Sequence, residues 1–509
     1  MLDQLRPLIV VLGLALVVFA LAKPVCLRFM TAQDFARRRN VWLCLTFTAF
    51  VAPNLWLFAA VALPLTYWAG RVDRHPTAVY LLLLLAVPPA SLPIPMPLIN
   101  QLFELSNFRI LEFAILVPAA FRILGSERSQ RGWGRTADVL VLAFGALQLV
   151  LYVPYETFTH TMRRAFLFML DTYFLYYVFS RAAANREALR DSLCSFWLAC
   201  AIIAPIALFE TLKGWLLFTG IPERWGDPNT LSWLLRGDSL RAQASVGHSL
   251  TMGYVLAIAF GFWLYLAGHL DSKRNAWLGG IWLWLGLLAA YSRAPWLVAA
   301  AAGCIYLLGS PAGRRGLVRT VIGLAVIAVP FLMTPQGARL VETLPFIGTV
   351  DQFNVDYREQ LATLSWQLIK LNPMFGSPFA AQHMESLRQG QGIIDIVNTY
   401  AWVSLFYGLV GCALFVGAFA FPLARCLFAI RALRSSDPDA VNLGVVLVAC
   451  MSGTLLMMAT ASFGNSFEQM SWALAGLCSA YAAAMFDRTP ARHGDSMMVS
   501  RGAAPMGSR

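Results

Sequence analysis

The chain has 509 residues, of which 58% are hydrophobic and only 13% are Asp, Glu, Lys or Arg. A soluble globular chain carries about 25% charged residues, so half that charge cannot coat a water-soluble protein of this size. A soluble enzyme, a disordered protein and a coiled coil are excluded. The net charge of +12 fits basic loops held on one side of a membrane better than nucleic-acid binding. The fold class that remains is an all-α, polytopic membrane protein.

Apolar runs separated by polar breaks fall at about 7–22, 41–69, 78–92, 108–124, 137–153, 165–180, 192–218, 247–269, 276–291, 294–309, 317–333, 398–420, 442–461 and 468–486. The first run leads into Lys23-Pro24-Val25-Cys26 without a small-residue cleavage site and reads as a retained span. The second is too long for one span, and Ala52-Pro53-Asn54 breaks it into a hairpin of two short helices. Roughly 12–15 membrane helices are expected. The nine cysteines lie in apolar runs or beside basic loops with no CxxC spacing, which points to core packing rather than disulfides or zinc.

One set of alternating loops holds 26 of the 39 Lys and Arg residues and is expected to face the cytoplasm. The polar tail 487–509 falls on that side and reads as disordered. The opposite face carries a moderate loop, 219–246, and one long loop, 334–397. Within the long loop Leu361, Leu364, Leu368, Ile369 and Leu371 recur at helical spacing until Asn372-Pro373, predicting an amphipathic helix on the membrane surface.

That outer face concentrates the candidate chemistry. Arg293, in Tyr291-Ser292-Arg293-Ala294-Pro295-Trp296, is the only charged residue between Arg274 and Arg314. It is either a snorkelling interfacial cation or a bidentate phosphate ligand. Arg241 closes a loop just before His248 opens an apolar helix, where backbone N–H groups favour an anion. In the segment His383 to Tyr400, Asp395 and Asn398 are one helical turn apart and are expected to face the same side as the next span begins. A carboxylate at that lip is partly desolvated and suits a general base; the plainer reading is a helix cap. Glu112, Asp171 and Glu210 are the clearest intramembrane acids and form no matched set in two halves, which argues against a proton-coupled transporter. No HExxH, GxxxxGK[ST] or GxSxG sequence occurs, so neither a classical metal nor a nucleotide site is indicated.

Taken in order, four motifs resemble the O-antigen ligase and O-antigen/exopolysaccharide polymerase superfamily. They are Arg241-Ala-Gln-Ala-Ser-Val-Gly-His248, Ser292-Arg293-Ala-Pro-Trp296, Arg358 through Asn372-Pro373-Met374-Phe375-Gly376, and Asn398-Thr399-Tyr400 leading to Tyr407-Gly408-Leu409-Val410-Gly411. The resemblance covers about 240–415. It implies N-terminal spans over 1–240, a catalytic region over 241–486 that includes the large periplasmic loop, and a GT-C-like glycosyltransferase in the bacterial inner membrane. Its implied donor is an undecaprenyl diphosphate-linked oligosaccharide; the acceptor is a glycan or lipid A-core, with membrane lipid and other polysaccharide-export proteins as neighbours. Arg241, Arg293 and Arg358 would hold the diphosphate, with His248 and Ser292 in support. The family's His before the Asn that opens the span is replaced here by Val397, so either Asp395 or His383 would act as base, with Asn398 orienting, or the transfer would rely on substrate positioning and leaving-group stabilisation alone. Polymerase stands ahead of ligase on that account. A lipid-linked sugar flippase and a peptidoglycan-type polymerase are the alternatives.

Overall fold

Most apolar runs fold as helices, because only a helix satisfies its own backbone N–H and C=O groups in a hydrocarbon environment. The computed structural model describes residues 2–94, 101, 103–125, 135–183, 185–227, 234–236, 239–311, 352–389, 392 and 394–486. The run 317–333, the start of the long loop and the tail 487–509 lie outside the described residues. In chain order the helices are α1 (Leu2–Cys26), α2 (Ala32–Val51), α3 (Leu55–Val72), α4 (Pro76–Leu83), α5 (Asn107–Leu111), α6 (Val117–Leu124), α7 (Arg135–Tyr152), α8 (Phe158–Phe168), α9 (Leu175–Ala182), α10 (Arg186–Lys213) and α11 (Gly220–Trp225). They continue with α12 (Ser249–Ala267), α13 (Lys273–Ala289), α14 (Arg293–Gly309), α15 (Gln352–Leu371), α16 (Thr399–Leu433), α17 (Pro438–Met458) and α18 (Asn465–Phe486).

Among the described residues six helices are long and apolar enough to cross a membrane: α1, α3, α10, α12, α16 and α17. α7 and α14 are shorter apolar helices. Together with the remaining described helices they make an all-α, multi-pass membrane design. The 41–69 run does split as a hairpin, with Asn54 capping α3 through the N–H of Leu57 at 2.8 Å.

The run 78–92 does not form one span. α4 stops after Leu83 because Pro88-Pro89 cannot continue a helix. The buried chain beyond it finds donors on three neighbouring elements: Thr46 donates to the carbonyl of Ala86 (3.2 Å), Asn107 to Val87 (3.0 Å) and Ser245 to Leu85 (2.5 Å). Irregular backbone is tolerated here because it is enclosed by protein. Two π-helical turns, Glu112–Leu116 between α5 and α6 and Met169–Phe174 between α8 and α9, interrupt the α-helical pattern of two further runs.

The long α16 is also interrupted. Gly408 sits at φ 67°, and the turn after α15 lays its backbone into the break: Leu409 N–H donates to Pro373 O (2.8 Å), Val410 to Met374 O (3.2 Å) and Ser377 to Leu405 O (2.8 Å). A Cβ on Gly408 would stand 2.2 Å from Met374 O, and one on Gly376, at φ 67°, 2.5 Å from Leu405 O. The motifs around 372–376 and 407–411 are therefore one structural joint.

Loops sorted together by their basic residues meet at one end of the bundle. Arg38 of α2 bridges Asp73 after α3 (2.6 Å) and Asp191 of α10 (2.6 Å), and His75 joins Asp191 at 2.8 Å. Arg28 pairs with Asp271, while Arg190 (2.5 Å) and His269 (2.8 Å) converge on Asp439 at the start of α17. One buried apolar cluster runs from Leu8 to Met485, so the chain on both sides of residue 240 shares a single core.

Candidate active site

The opposite end is built on two adjacent loops. A small hairpin pairs Leu235 with Leu240 and Arg236 with Ser239, presenting Arg236 and Arg241 together. The chain after it is clamped from below by Glu210 of α10. One carboxylate oxygen accepts the N–H of Leu217 (2.9 Å), and the other accepts those of Gln243 (3.0 Å) and Ala244 (2.8 Å). Ala244 is held at φ 46°, and Tyr291 in the facing α13–α14 turn at φ 44°. Both are non-glycine residues in the left-handed region, a conformation costing about 1–3 kcal/mol that persists only where the surroundings enforce it. A backbone bond from Ala242 N–H to Ala289 O (3.0 Å) ties the two loops together.

Three guanidinium groups converge there. Arg241 donates through Nη2 to Ser292 Oγ (2.5 Å) and through Nε to Ala290 O (3.4 Å); Arg236 donates to Tyr291 O (2.9 Å). Arg293 opens α14 next to Ser292. Among the described residues neither Arg236 nor Arg241 has a carboxylate partner. Burial, followed by the cation of Arg236, pulls Arg241 down to about 10; burial, followed by Arg293, lowers Arg236. Cations that depress one another in this way are stabilised when an anion arrives.

His248 caps the backbone start of α12 beside this group. Burial lowers its pKa below the usual imidazole value, Arg241 adds to that, and the carboxylate of Asp395 opposes it. Both Arg241 and Asp395 are thus within electrostatic reach of one imidazole. Asp395 is fixed from two sides. Its Oδ1 accepts from Ser462 Oγ (2.7 Å), and its backbone N–H and C=O bond the Tyr357 hydroxyl of α15 (3.1 and 3.0 Å).

The remaining candidates are placed differently. α16 begins only at Thr399, so Asp395 and Asn398 do not share a helical turn as the spacing predicts; the extended backbone of Asn398 separates them. The Asn398 side chain caps the helix by accepting from Ala401 N–H (3.0 Å). His383 is exposed in a 3-10 turn, Ala380–Leu387, and Arg358 lies on the exposed face of α15. No hydrogen bond or ion pair joins either to the arginines among the described residues. Ser292 is buried as the Arg241 acceptor. Val397, where the family places its His, packs with Tyr357, Leu361, Ile369 and Ile396.

Sequence reasoning missed Arg236, Tyr357 and Ser462. Arg236 left a signal, being a second cation five residues before Arg241 on the face that holds few. Ser462 left none, since a lone serine after a span has no pattern. Glu112 and Asp171, two of the intramembrane acids, lie together with Arg109, which holds Asp171 at 2.8 Å. Among the described residues no group of three or more His, Cys, Asp or Glu is placed to hold a metal ion.

No curated protein matches the chain. Residues 278–416 match a family model described as O-antigen ligase, a stretch that includes Ser292, Arg293, Asp395 and Asn398 but ends short of Ser462 and begins after Arg236, Arg241 and His248. Over that stretch the resemblance to the O-antigen ligase and polymerase superfamily of polysaccharide biosynthesis, first visible in the loop motifs, is shown on independent grounds, in a chain built as a multi-pass membrane protein.

Proposed function

We propose that the chain is a glycosyltransferase of the bacterial inner membrane that moves a glycan from undecaprenyl diphosphate to an acceptor hydroxyl at the periplasmic face. The observation carrying this reading is the convergence of Arg236, Arg241 and Arg293 on a strained pair of loops, with half-buried cations and, among the described residues, no carboxylate partner for the first two. Such a group stabilises charge that develops on a leaving diphosphate, with its donors already in place before reaction. Asp395 supplies the base that takes the acceptor proton, and Ser462 orients it. His248, at the start of α12, is a neutral neighbour of the cations. The apolar helices hold the polyprenyl tail. On this reading 334–397 faces the periplasm, the tail 487–509 faces the cytoplasm, and the reaction uses no metal.

Repeat-unit polymerase is favoured over ligase because Val397 occupies the position of the family's His. The surface polysaccharide of a deletion strain decides between them. Long chains lost over a singly capped core identify a polymerase. An uncapped core with lipid-linked polymer accumulating identifies a ligase. A normal profile contradicts both. A periplasm-only reporter fused near Ser386 is active on this account, and one fused after Asp487 is silent; the reverse pattern sinks the assignment of the site.

A further inference from the structure

A cavity of about 680 Å³ opens at the same end of the bundle, between α7, α8, α16 and α18. Its size falls within the range of about 300–1,000 Å³ typical of small-molecule sites. Asp395 and Ser462 line it, so the carboxylate assigned as base is also part of its wall.

The chemistry of the cavity differs from that of the arginine cluster. Among its cations Arg163 donates to the Gln101 carbonyl. Arg164 pairs with Glu156 and lies 4.0 Å over the Tyr152 ring, and Asp171 is held by Arg109 at 2.8 Å. With Glu156, Asp171, Asp395 and Glu468 against Arg163 and Arg164, the lining carries more carboxylates than guanidinium groups, so a second phosphate has little to gain there. Aromatic side chains, among them Trp402, Phe463 and Trp472, form the apolar part of the lining. The π-helical turn Met169–Phe174 carries Asp171 and Thr172, both of which line the cavity, as such turns often do at functional sites. Aromatic faces with a few paired polar groups suit a neutral ring edged with hydroxyls.

We infer that this cavity is the binding site for the terminal sugars of the acceptor glycan, which present their hydroxyl to Asp395 while the donor diphosphate lies on the arginine side of the same carboxylate. The inference rests on the glycosyltransferase reading. In the step it describes, the acceptor oxygen bonds the anomeric carbon of the donor as the bond from that carbon to the diphosphate oxygen breaks. The hydroxyl proton passes to Asp395, and the bonding pair leaves with the diphosphate. Holding both reactants across one base makes the encounter effectively unimolecular.

The test uses the full chain in lipid nanodiscs and two probes measured separately: deacylated surface oligosaccharide from the producing cell, followed by saturation-transfer NMR, and undecaprenyl diphosphate, followed by native mass spectrometry. Trp402→Ala removes a partly exposed ring, and Glu468→Gln changes the lining at constant shape. Each is expected to weaken oligosaccharide binding by about tenfold while leaving diphosphate binding unchanged. Undiminished oligosaccharide binding in both variants, no binding to the unaltered protein, or loss of diphosphate binding in both variants overturns the inference. Oligosaccharide binding that depends on Trp402 in a protein with no affinity for the diphosphate leaves the cavity assigned and refutes the donor reading instead.

Discussion

The two ends of the bundle use arginine for opposite purposes. At the basic-loop end Arg38 is almost completely buried, and its guanidinium is saturated by Asp73, Asp191 and Ser195, joining α2, α3 and α10. At the other end, among the described residues, Arg236 and Arg241 bond only carbonyl and hydroxyl oxygens, and Arg236 lies close enough to lower the proton affinity of Arg241, as Arg293 does that of Arg236. A saturated guanidinium holds helices together; one left with neutral acceptors and like-charged neighbours is ready for an anion. Residue type alone does not separate these roles. The count of carboxylates around each cation does.

The sharpest way to strain this comparison is at the base. Asp395→Asn is expected to lower transfer by about a hundred- to ten-thousand-fold, whereas His383→Ala, on an exposed turn, stays near the parent rate. Equal, mild losses in both would mean that no side-chain base acts. Next come the arginines themselves. Arg241→Ala or Arg293→Ala is expected to reduce transfer by about a hundred- to a thousandfold with no loss of folded protein, and Arg293→Lys to restore it only in part because ammonium lacks the planar fork. Arg38→Ala shows the reverse pattern: removing one partner of a buried ion pair costs about 3–5 kcal/mol, read as a lower midpoint of thermal unfolding and a poor folded yield. If Arg241→Ala destabilises the protein as much as Arg38→Ala does, the distinction between the two ends fails.

Glu210→Gln addresses how the arginine loop is held. An amide cannot accept all three N–H groups with charge-assisted strength, so the loop shifts and transfer falls by up to about a hundredfold, with donor affinity weakened in parallel. Unchanged donor affinity would assign Glu210 to folding alone. The smallest effect concerns pH. His248 in the folded chain binds its proton less readily than in the unfolded chain, so the unfolded state takes up the extra proton first as pH falls below about 6.5. Stability therefore declines on acidification through that window, and His248→Gln flattens the decline. Bound diphosphate, by offsetting Arg241, is expected to reduce it as well.

Much of the architecture was legible because membrane spans declare themselves through long apolar runs, and the hairpin break at Pro53-Asn54 and the amphipathic α15 followed from local spacing. The interruption after Leu83 was less legible: its carbonyls are satisfied by Thr46, Asn107 and Ser245, partners far away in sequence. In the candidate site Arg241, Ser292 and Arg293 could be picked out because a cation on the sparsely charged face stands out, and the structure brings Arg241 onto Ser292. The link of Asp395 to Ser462 and Tyr357 depends on α15 folding back over α16, which no periodicity encodes. Asn398 shows the limit of spacing arguments, since three residues measure one turn only if the helix has already begun.

The central claim is that Arg236, Arg241 and Arg293 form a diphosphate site. Its most direct test is the affinity of the purified full chain in nanodiscs for undecaprenyl diphosphate against undecaprenol, with Arg241→Ala and Arg236→Ala alongside. The account predicts preference for the diphosphate in the parent, lost in both variants, and weakened by added salt less steeply in each variant than in the parent as charge contacts are removed. Equal binding of the diphosphate and the uncharged alcohol, or a preference untouched by either substitution, would contradict it.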